Sequence, residues 1–487
     1  MLQRPASLFD REVEWTELSR FVSAGAGAPS IGLVLGRRRQ GKSFLLDRLT
    51  TGVGGMRYQA LEETREASLS GLYGASAAWQ GFRGPADARF KDWPEALRSI
   101  AEAADGRLIV LDEFPYLLRE SPELPSAIQA AYDEARFGRH PWFRMILCGS
   151  ALSVMSQLLL GTKALRGRAS LLLMVAGFDF RQARAYWQID DPAVAFLVDA
   201  VVGGAPGYRD LVHGEAPTSV GDVADWLAST ALNPSHTLFH EADLLLTEDP
   251  TLAHRALYAS VVASIAKGHA TKGGVASDLG RKESSLDHPL GQLERAGFIV
   301  RDHDMLRPNR PLLRVADPIL RFSYAIVRRA LPRFASRDTR AAWVDATARF
   351  DSLVLGPHFE AMARTWTARY ASERTLGGSI RRVGFAQVND PIMRQAFELD
   401  VVVEGETEDG QPRLIAIGEA KGGTALRTMG DLERLRRLRD ALGRRADVSR
   451  AKLLLFGRSG FAPDVIGAGR EHPDVELIDL ERLYNGD

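Results

Sequence analysis

The sequence predicts a multidomain α/β protein, and three observations carry that prediction. Short apolar runs alternate with helical patterns from about residue 30 to 175. A glycine-flanked loop, GRRRQGKS at 36–43, stands between a run that reads as a strand and FLLDRL, which reads as a helix. A second alternation of strands and helices begins after about residue 351.

Composition sets the outer bounds. At ~150 residues per domain the length suggests about three domains, and the chain has 487 residues. With 45% hydrophobic and 25% charged residues it is not a disordered, collagenous or disulfide-scaffold protein. The longest apolar runs, such as LLLMVAGF at 171–178, fall short of the ~18 residues that span a bilayer. The N-terminus MLQRPASLFDRE has no signal-peptide core. A cytoplasmic protein without a membrane partner is expected. The single cysteine, Cys148, makes neither an intrachain disulfide nor a multi-cysteine zinc site. Lys+Arg 62 balances Asp+Glu 62, which excludes polycation behaviour but leaves room for a local basic face. Only 8 of the 62 basic residues are lysine, leaving 54 arginines. Codon drift accounts for most of that bias, yet a surviving lysine favours a chemistry that arginine cannot supply.

The elements follow in order. IGLVLG (31–36), RLIVLDE (107–113) and FRMILCGS (143–150) read as buried strands, with MRYQA (56–60) and LLLMVAG (171–177) as weaker ones. Residues 64–106 contain helical pieces. From about 180 to 250 the pattern is helical, broken by GGAPGY at 203–208. Residues 252–317 run as helices and then two short strands, FIVRDHD and LLRVAD, an order that matches a winged helix-turn-helix. Residues 318–350 are helical and arginine-rich. After 351 come a helix, a strand pair near 381–404, a strand at 413–419, a helix near 425–442 and a strand at 451–456.

The loop at 36–43 has the full spacing of a phosphate-binding loop. Gly36 and Gly41 let the backbone curl, so that N–H groups of Arg37, Arg38, Arg39, Gln40 and on to Phe44 can face phosphates. The helix N-terminus adds its dipole. Lys42 is a compact charge for the β- and γ-phosphates of ATP, and Ser43 offers a hydroxyl to Mg²⁺. In LIVLDE, Asp112 would hold Mg²⁺ and Glu113 would polarise the attacking water. Ser150 sits where a polar residue senses the γ-phosphate; its simpler reading is a helix N-cap.

FDREVEWTELSRF (9–21), GRRRQGKS, LIVLDEFPYLL, ILCGSALSVM, LRGR and GGAPGY together resemble the AAA+/STAND-related ATPases of archaeal type, some of which carry a C-terminal restriction-endonuclease-like domain. The resemblance covers nearly the whole chain. It implies a P-loop AAA-type core at 1–180, a helical lid at 181–250, a winged helix at 251–317, a helical linker at 318–350 and a PD-(D/E)xK nuclease-like α/β domain at 351–487. It also implies that Arg11 and Glu12 lie near the nucleotide. Arg168, in LRGR, matches a basic position that can serve as an arginine finger in a neighbouring subunit's site, so a homo-oligomer with shared ATP sites is one arrangement the resemblance allows, and the sequence does not give the oligomeric state. A structural or solvated arginine is the other reading.

In the last domain Asp400 lies in FELDVVVEG, and Glu419 and Lys421 lie two apart in GEAKGG, on one face of a strand. This is the D…E-x-K arrangement of metal-dependent phosphodiesterases. The carboxylates would bind Mg²⁺, and Lys421 would orient water or stabilise the phosphorus centre. By the same resemblance Glu360 completes the metal set. For DNA, the winged-helix candidate offers Arg281, Lys282, His288 and Arg295, with Arg301 and Arg307 in the wing. The stretch 426–445 offers Arg427, Arg434 and Arg437; a salt-bridged solvated face is the alternative. His269 and His303 have no metal-ligand spacing. Two functions remain open: an ATPase that controls a DNA-directed nuclease, or a nucleotide-dependent switch or scaffold that binds DNA or a protein without cutting.

Overall fold

The computed structural model describes the chain apart from residues 1, 26, 83, 84, 86, 160–162, 253, 337, 391–394, 407–411, 444–446 and 449. Two stretches with sequence expectations are affected: 391–394 inside the strand pair, and 444–445 at the end of the arginine-dense segment. The described residues form two compact units, one of residues 1–177, 205–207 and 245–253, the other of 178–204, 208–244 and 254–487. Among the described residues no helix is long and apolar enough to cross a membrane.

The first unit is built on five parallel strands: β1 (Ser30–Leu35), β2 (Met56–Gln59), β3 (Leu108–Asp112), β4 (Arg144–Gly149) and β5 (Ala169–Met174), in the order β2-β3-β4-β1-β5. Near-continuous apolar sequence is what a parallel sheet covered on both faces requires. Alternation sends Leu33, Leu35, Ile109, Leu111, Met145 and Leu147 to one core. Val34, Leu108, Val110, Ile146 and Cys148 go to the other, which also holds Leu45, Leu46 and Leu49 of the helix Lys42–Val53. By the same parity Asp112 lies on the face of Leu108 and Val110, towards that helix. The expected helical pieces of 64–106 are Arg65–Trp79 and Trp93–Ala104, capped by the side chains of Thr64 and Asp92.

In the second unit, helices Arg255–Ala266, Lys272–Asp278 and Asp287–Arg295 precede an antiparallel pair, β6 (Ile299–Asp302) and β7 (Leu312–Val315). Helical turns occupy 318–335 and 339–350, and Ile319, Leu320, Phe322, Ile326 and Phe334 are fully buried. These side chains pack within the second unit. The second sheet contains β8 (Ser379–Asp390), β9 (Gln395–Glu406), β10 (Pro412–Lys421), β11 (Lys452–Gly457) and β12 (Val475–Ile478), in the order β12-β11-β10-β9-β8. β8, β9 and β10 are antiparallel neighbours, whereas β10, β11 and β12 are parallel. The helix Met429–Leu442 buries Leu432, Leu435, Leu438 and Leu442, one stripe at helical spacing.

The β6–β7 loop covers the edge of this sheet. Met305 N–H donates to the Phe385 carbonyl of β8 at 2.9 Å. The buried Asp304 carboxylate accepts from Gln387 N–H at 3.0 Å, Leu306 N–H at 2.8 Å and Arg307 N–H at 3.0 Å. A Cβ on Gly384 would lie 2.8 Å from Met305 Sδ, so the Met305 side chain packs over that glycine. An exposed edge strand is thereby protected. Asp304→Ala strands the Gln387 and Leu306 backbone donors, while Arg307 N–H keeps the Asp304 carbonyl at 3.2 Å, and should destabilise this unit by about 2 kcal/mol in denaturant melting of the full chain; a loss below about 0.5 kcal/mol would show that the loop is not a fixed part of the fold.

Candidate functional site

The parallel register determines which side chains meet at the sheet edge where residues 36–43 leave β1. Leu35 pairs with Gly149 on one side and Met174 on the other, so the chain leaves β1, β3 and β4 at the same sheet edge. A Cβ at Gly36 would fall on the Val175 carbonyl oxygen, so only glycine lets the loop start there. Gly41 has φ 83° and Arg39 φ 64°; the second is an uncommon conformation for a side-chain-bearing residue. Gln40 Oε1 accepts from Arg37 N–H at 2.7 Å, and Arg11 donates to the Gln40 carbonyl at 3.1 Å and to Glu14 at 2.8 Å. Arg11 therefore braces the loop. Residues 205–207 of GGAPGY lie against it, with Gly207 N–H on the Arg39 carbonyl at 3.0 Å. Phe44 is exposed, with the Arg48 guanidinium 4.8 Å from its ring centre.

Lys42 is buried, and its Nζ donates to the Arg37 carbonyl at 2.9 Å. Burial draws its pKa down. Asp112 is fully buried; its Oδ1 accepts from Glu113 N–H at 3.0 Å and its Oδ2 from Arg57 Nη2 at 2.7 Å. Burial alone would raise this carboxyl, but hydrogen bonds from Arg57, Cys148 and Ser43 bring it below its ordinary value. Glu113 has φ 52°, and Ser150 Oγ donates to its carboxylate at 3.1 Å. Ser150 does not cap the following helix, whose N-cap is Ala151; it faces Glu113 instead. Arg168 forms a forked pair with Asp133 at 2.9 and 2.6 Å. These residues suit a magnesium nucleotide: a glycine cradle, a buried amine, and a hydroxyl beside a buried carboxylate.

The second unit holds an acidic cluster. Glu360 of the helix Gly356–Arg369, with Glu398 and Asp400 of β9, places one carboxylate oxygen each within 4.8 Å of the others. Asp400 also accepts from Ala420 N–H at 2.7 Å. Burial and then the Glu360 charge push Asp400 up to about 7. Glu360 is raised by burial, with Glu398 adding to it, and Glu398 by burial and Asp400. Glu398 is exposed overall, yet its carboxyl is drawn into the cluster.

Glu419 and Lys421 sit differently. Val401 pairs with Gly418, so Asp400 and Glu419 are cross-strand neighbours, but the Glu419 carboxylate turns to cations. Arg434 takes both its oxygens, one at 3.1 Å, while Lys421 lies at 3.3 Å and Arg427 at 3.6 Å. Lys421 is half-exposed. Arg427 is buried between Glu419 and Asp431, so the expectation that it follows a phosphate backbone does not fit its position. Arg437 is partly exposed. Arg281, Lys282, His288 and Arg295 are exposed, whereas Arg301 pairs with Glu294 at 2.9 Å and Arg307 lies in the docked loop. Sequence reasoning missed Glu398, although its spacing of two from Asp400 on a strand was a usable signal. It also missed Arg364, which donates to the Asp400 carbonyl at 2.8 Å, and Arg57.

No protein-family model matches the chain. A 215-residue stretch is 27% identical to an uncharacterized protein of Methanocaldococcus jannaschii, covering 43% of this chain and 45% of that protein. The chain thus spans less than half of that relative's length. The Walker-type ATPase of Pyrococcus abyssi superposes with a TM-score of 0.51 at 21% identity, over 66% of this chain and 97% of its own. The Aeropyrum pernix ORC2 protein, in ADPNP–ADP complexes, gives 0.42 at 15% identity, over 70% and 97%. The Pyrococcus likeness shows that the chain carries the fold of a Walker-type ATPase.

The pKa of Asp400 makes a signed prediction. A carboxyl raised in the folded state binds its proton more tightly there, so its contribution to stability falls as pH rises from about 4 to about 7. In EDTA, Asp400→Asn should therefore raise the melting temperature relative to wild type at pH 8 and leave it little changed at pH 4. A variant less stable than wild type at pH 8 would contradict the repulsion.

Proposed function

We propose that the chain binds and hydrolyses ATP in its first unit and uses nucleotide state to control a DNA-directed, metal-dependent phosphodiesterase site in its second. The observation that carries the ATPase reading is the meeting of Lys42, Asp112 and Glu113 at one sheet edge, with Ser150 hydrogen-bonded to Glu113. Lys42 would exchange its loop carbonyl for the β- and γ-phosphates. Ser43 and Asp112 would hold Mg²⁺, which supplies charge neutralisation on the phosphates when bound. Glu113 orients the attacking water, and the Ser150 hydroxyl fixes the direction of its carboxylate until the γ-phosphate competes for it. Arg168 would reach the site of a second copy only on leaving Asp133.

For the second unit, the helix order and strand pair of 251–317 support a winged helix whose exposed Arg281, Lys282, His288 and Arg295 meet DNA phosphates. The sheet of 351–487, with Asp400, Glu419 and Lys421 on adjoining strands, supports a PD-(D/E)xK nuclease-like domain. Glu360, Glu398 and Asp400 are the carboxylates grouped to hold a divalent cation. One observation favours the reading as a switch or scaffold that binds without cutting: Glu419, the motif's second acid, is already paired with Arg434, Arg427 and Lys421.

Two assays decide. Lys42→Ala should abolish tight ATP binding, and Glu113→Gln should keep binding while turnover falls by about 10²–10⁴; wild-type turnover in Lys42→Ala would defeat the ATPase reading. A labelled DNA panel with Mg²⁺ or Mn²⁺ should be cut by wild type and not by Asp400→Ala or Lys421→Ala. Cutting unaffected by both substitutions would sink the catalytic assignment, and DNA binding without cutting would favour the switch.

A further inference from the structure

Asp112 is fully buried, and such a carboxylate needs partners for both oxygens. Besides the Cys148 thiol and the Ser43 hydroxyl, two groups hold it at defined distances. Glu113 N–H occupies Oδ1 at 3.0 Å. Arg57, on the neighbouring strand β2, reaches diagonally across and places Nη2 at 2.7 Å and Nε at 3.3 Å from Oδ2. The register pairs Asp112 with Gln59, not Arg57, so the contact is made by the long side chain and not imposed by strand pairing.

The same guanidinium has a second acid within reach. Its Nη1 is 3.7 Å from Asp47, and its Nη2 is 3.4 Å from the Gln59 amide oxygen. Asp47 is half-exposed and stands four residues after Ser43, one turn along the same helix face. Arg57 can therefore leave Asp112 for Asp47 by side-chain rotation, without moving the sheet. A guanidinium on Asp112 and a divalent cation organised by Asp112 and Ser43 repel each other where water is scarce, so the two compete for one carboxylate.

We propose that Arg57 is a positioning residue that occupies Asp112 in the resting site and withdraws to Asp47 when the magnesium nucleotide enters, so that this arginine sets how strongly nucleotide binding depends on Mg²⁺. The proposal rests on the reading of the loop as a magnesium-nucleotide site.

The test is the affinity of the full chain for a non-hydrolysable ATP analogue, measured with Mg²⁺ and with EDTA. Removing the competing charge in Arg57→Ala should raise the Mg²⁺-to-EDTA affinity ratio by about tenfold, while affinity in EDTA stays near that of wild type. Arg57→Gln, which keeps length and hydrogen bonding without charge, should move the ratio in the same direction and serves if the alanine variant does not fold. Arg57→Lys should stay nearer wild type. Asp47→Asn, which removes the second station, should lower the ratio. Wild-type ratios in both Arg57→Ala and Arg57→Gln would overturn the role of Arg57, and an unchanged ratio in Asp47→Asn would overturn the exchange with Asp47. A wild type that binds no nucleotide in either condition would instead overturn the phosphate-loop reading itself.

Discussion

The parallel register of β1 between β4 and β5 is the constraint on which the first unit depends. Parallel strands point their carboxyl ends to one edge, and ligands of such sheets bind there. With β3 beside β4, that edge collects the loop after Leu35, the Asp112–Glu113 pair and Ser150. Gly36 is the steric condition for the arrangement, because any side chain at that position meets the Val175 carbonyl. The polar groups of the site are then a consequence of packing. Asp112 shares its face with Leu108 and Val110, so the apolar alternation that fills the core also aims this carboxylate at the helix beginning with Lys42.

The second unit is organised around charge that cannot be left unpaired. Three carboxylates stand within 4.8 Å, and burial with mutual repulsion raises all three. Arginines answer from several elements. Arg364 lies between the Asp400 carbonyl and Asp302, 4.0 Å away on β6, where Asp302 also pairs with Arg314. The strand pair β6–β7 is therefore tied to the acidic cluster by charge and to the edge of β8 by Asp304. Glu419 belongs to a separate group with Arg434, so the motif's residues share a sheet without sharing a ligand set.

The parts of this fold legible in the sequence were those encoded locally. Each of the five expected strands of the first unit is found, because an apolar run with glycine or polar ends carries its own signal. The turn at 36–43 was legible because its glycine spacing is a backbone requirement. Glu398 was within reach of strand alternation. Other features carry no local mark. The forked pair of Arg168 with Asp133 joins residues 35 apart, and Arg57 meets Asp112 across 55. Arg307 reads as an exposed wing residue until Met305 is seen bonded to Phe385, and the burial of 319–327 follows from packing that an arginine-rich helical pattern does not reveal. Pairings among 54 arginines are set by tertiary placement, not by periodicity.

Amide hydrogen exchange of the full chain, with and without Mg²⁺–ATP, tests the central claim most directly. If the carboxyl edge of the first sheet is a nucleotide site, exchange should slow at residues 36–44 and at 205–207, which lie against that loop. Unchanged exchange in both segments at saturating nucleotide, or slowing confined to other parts of the chain, would contradict it.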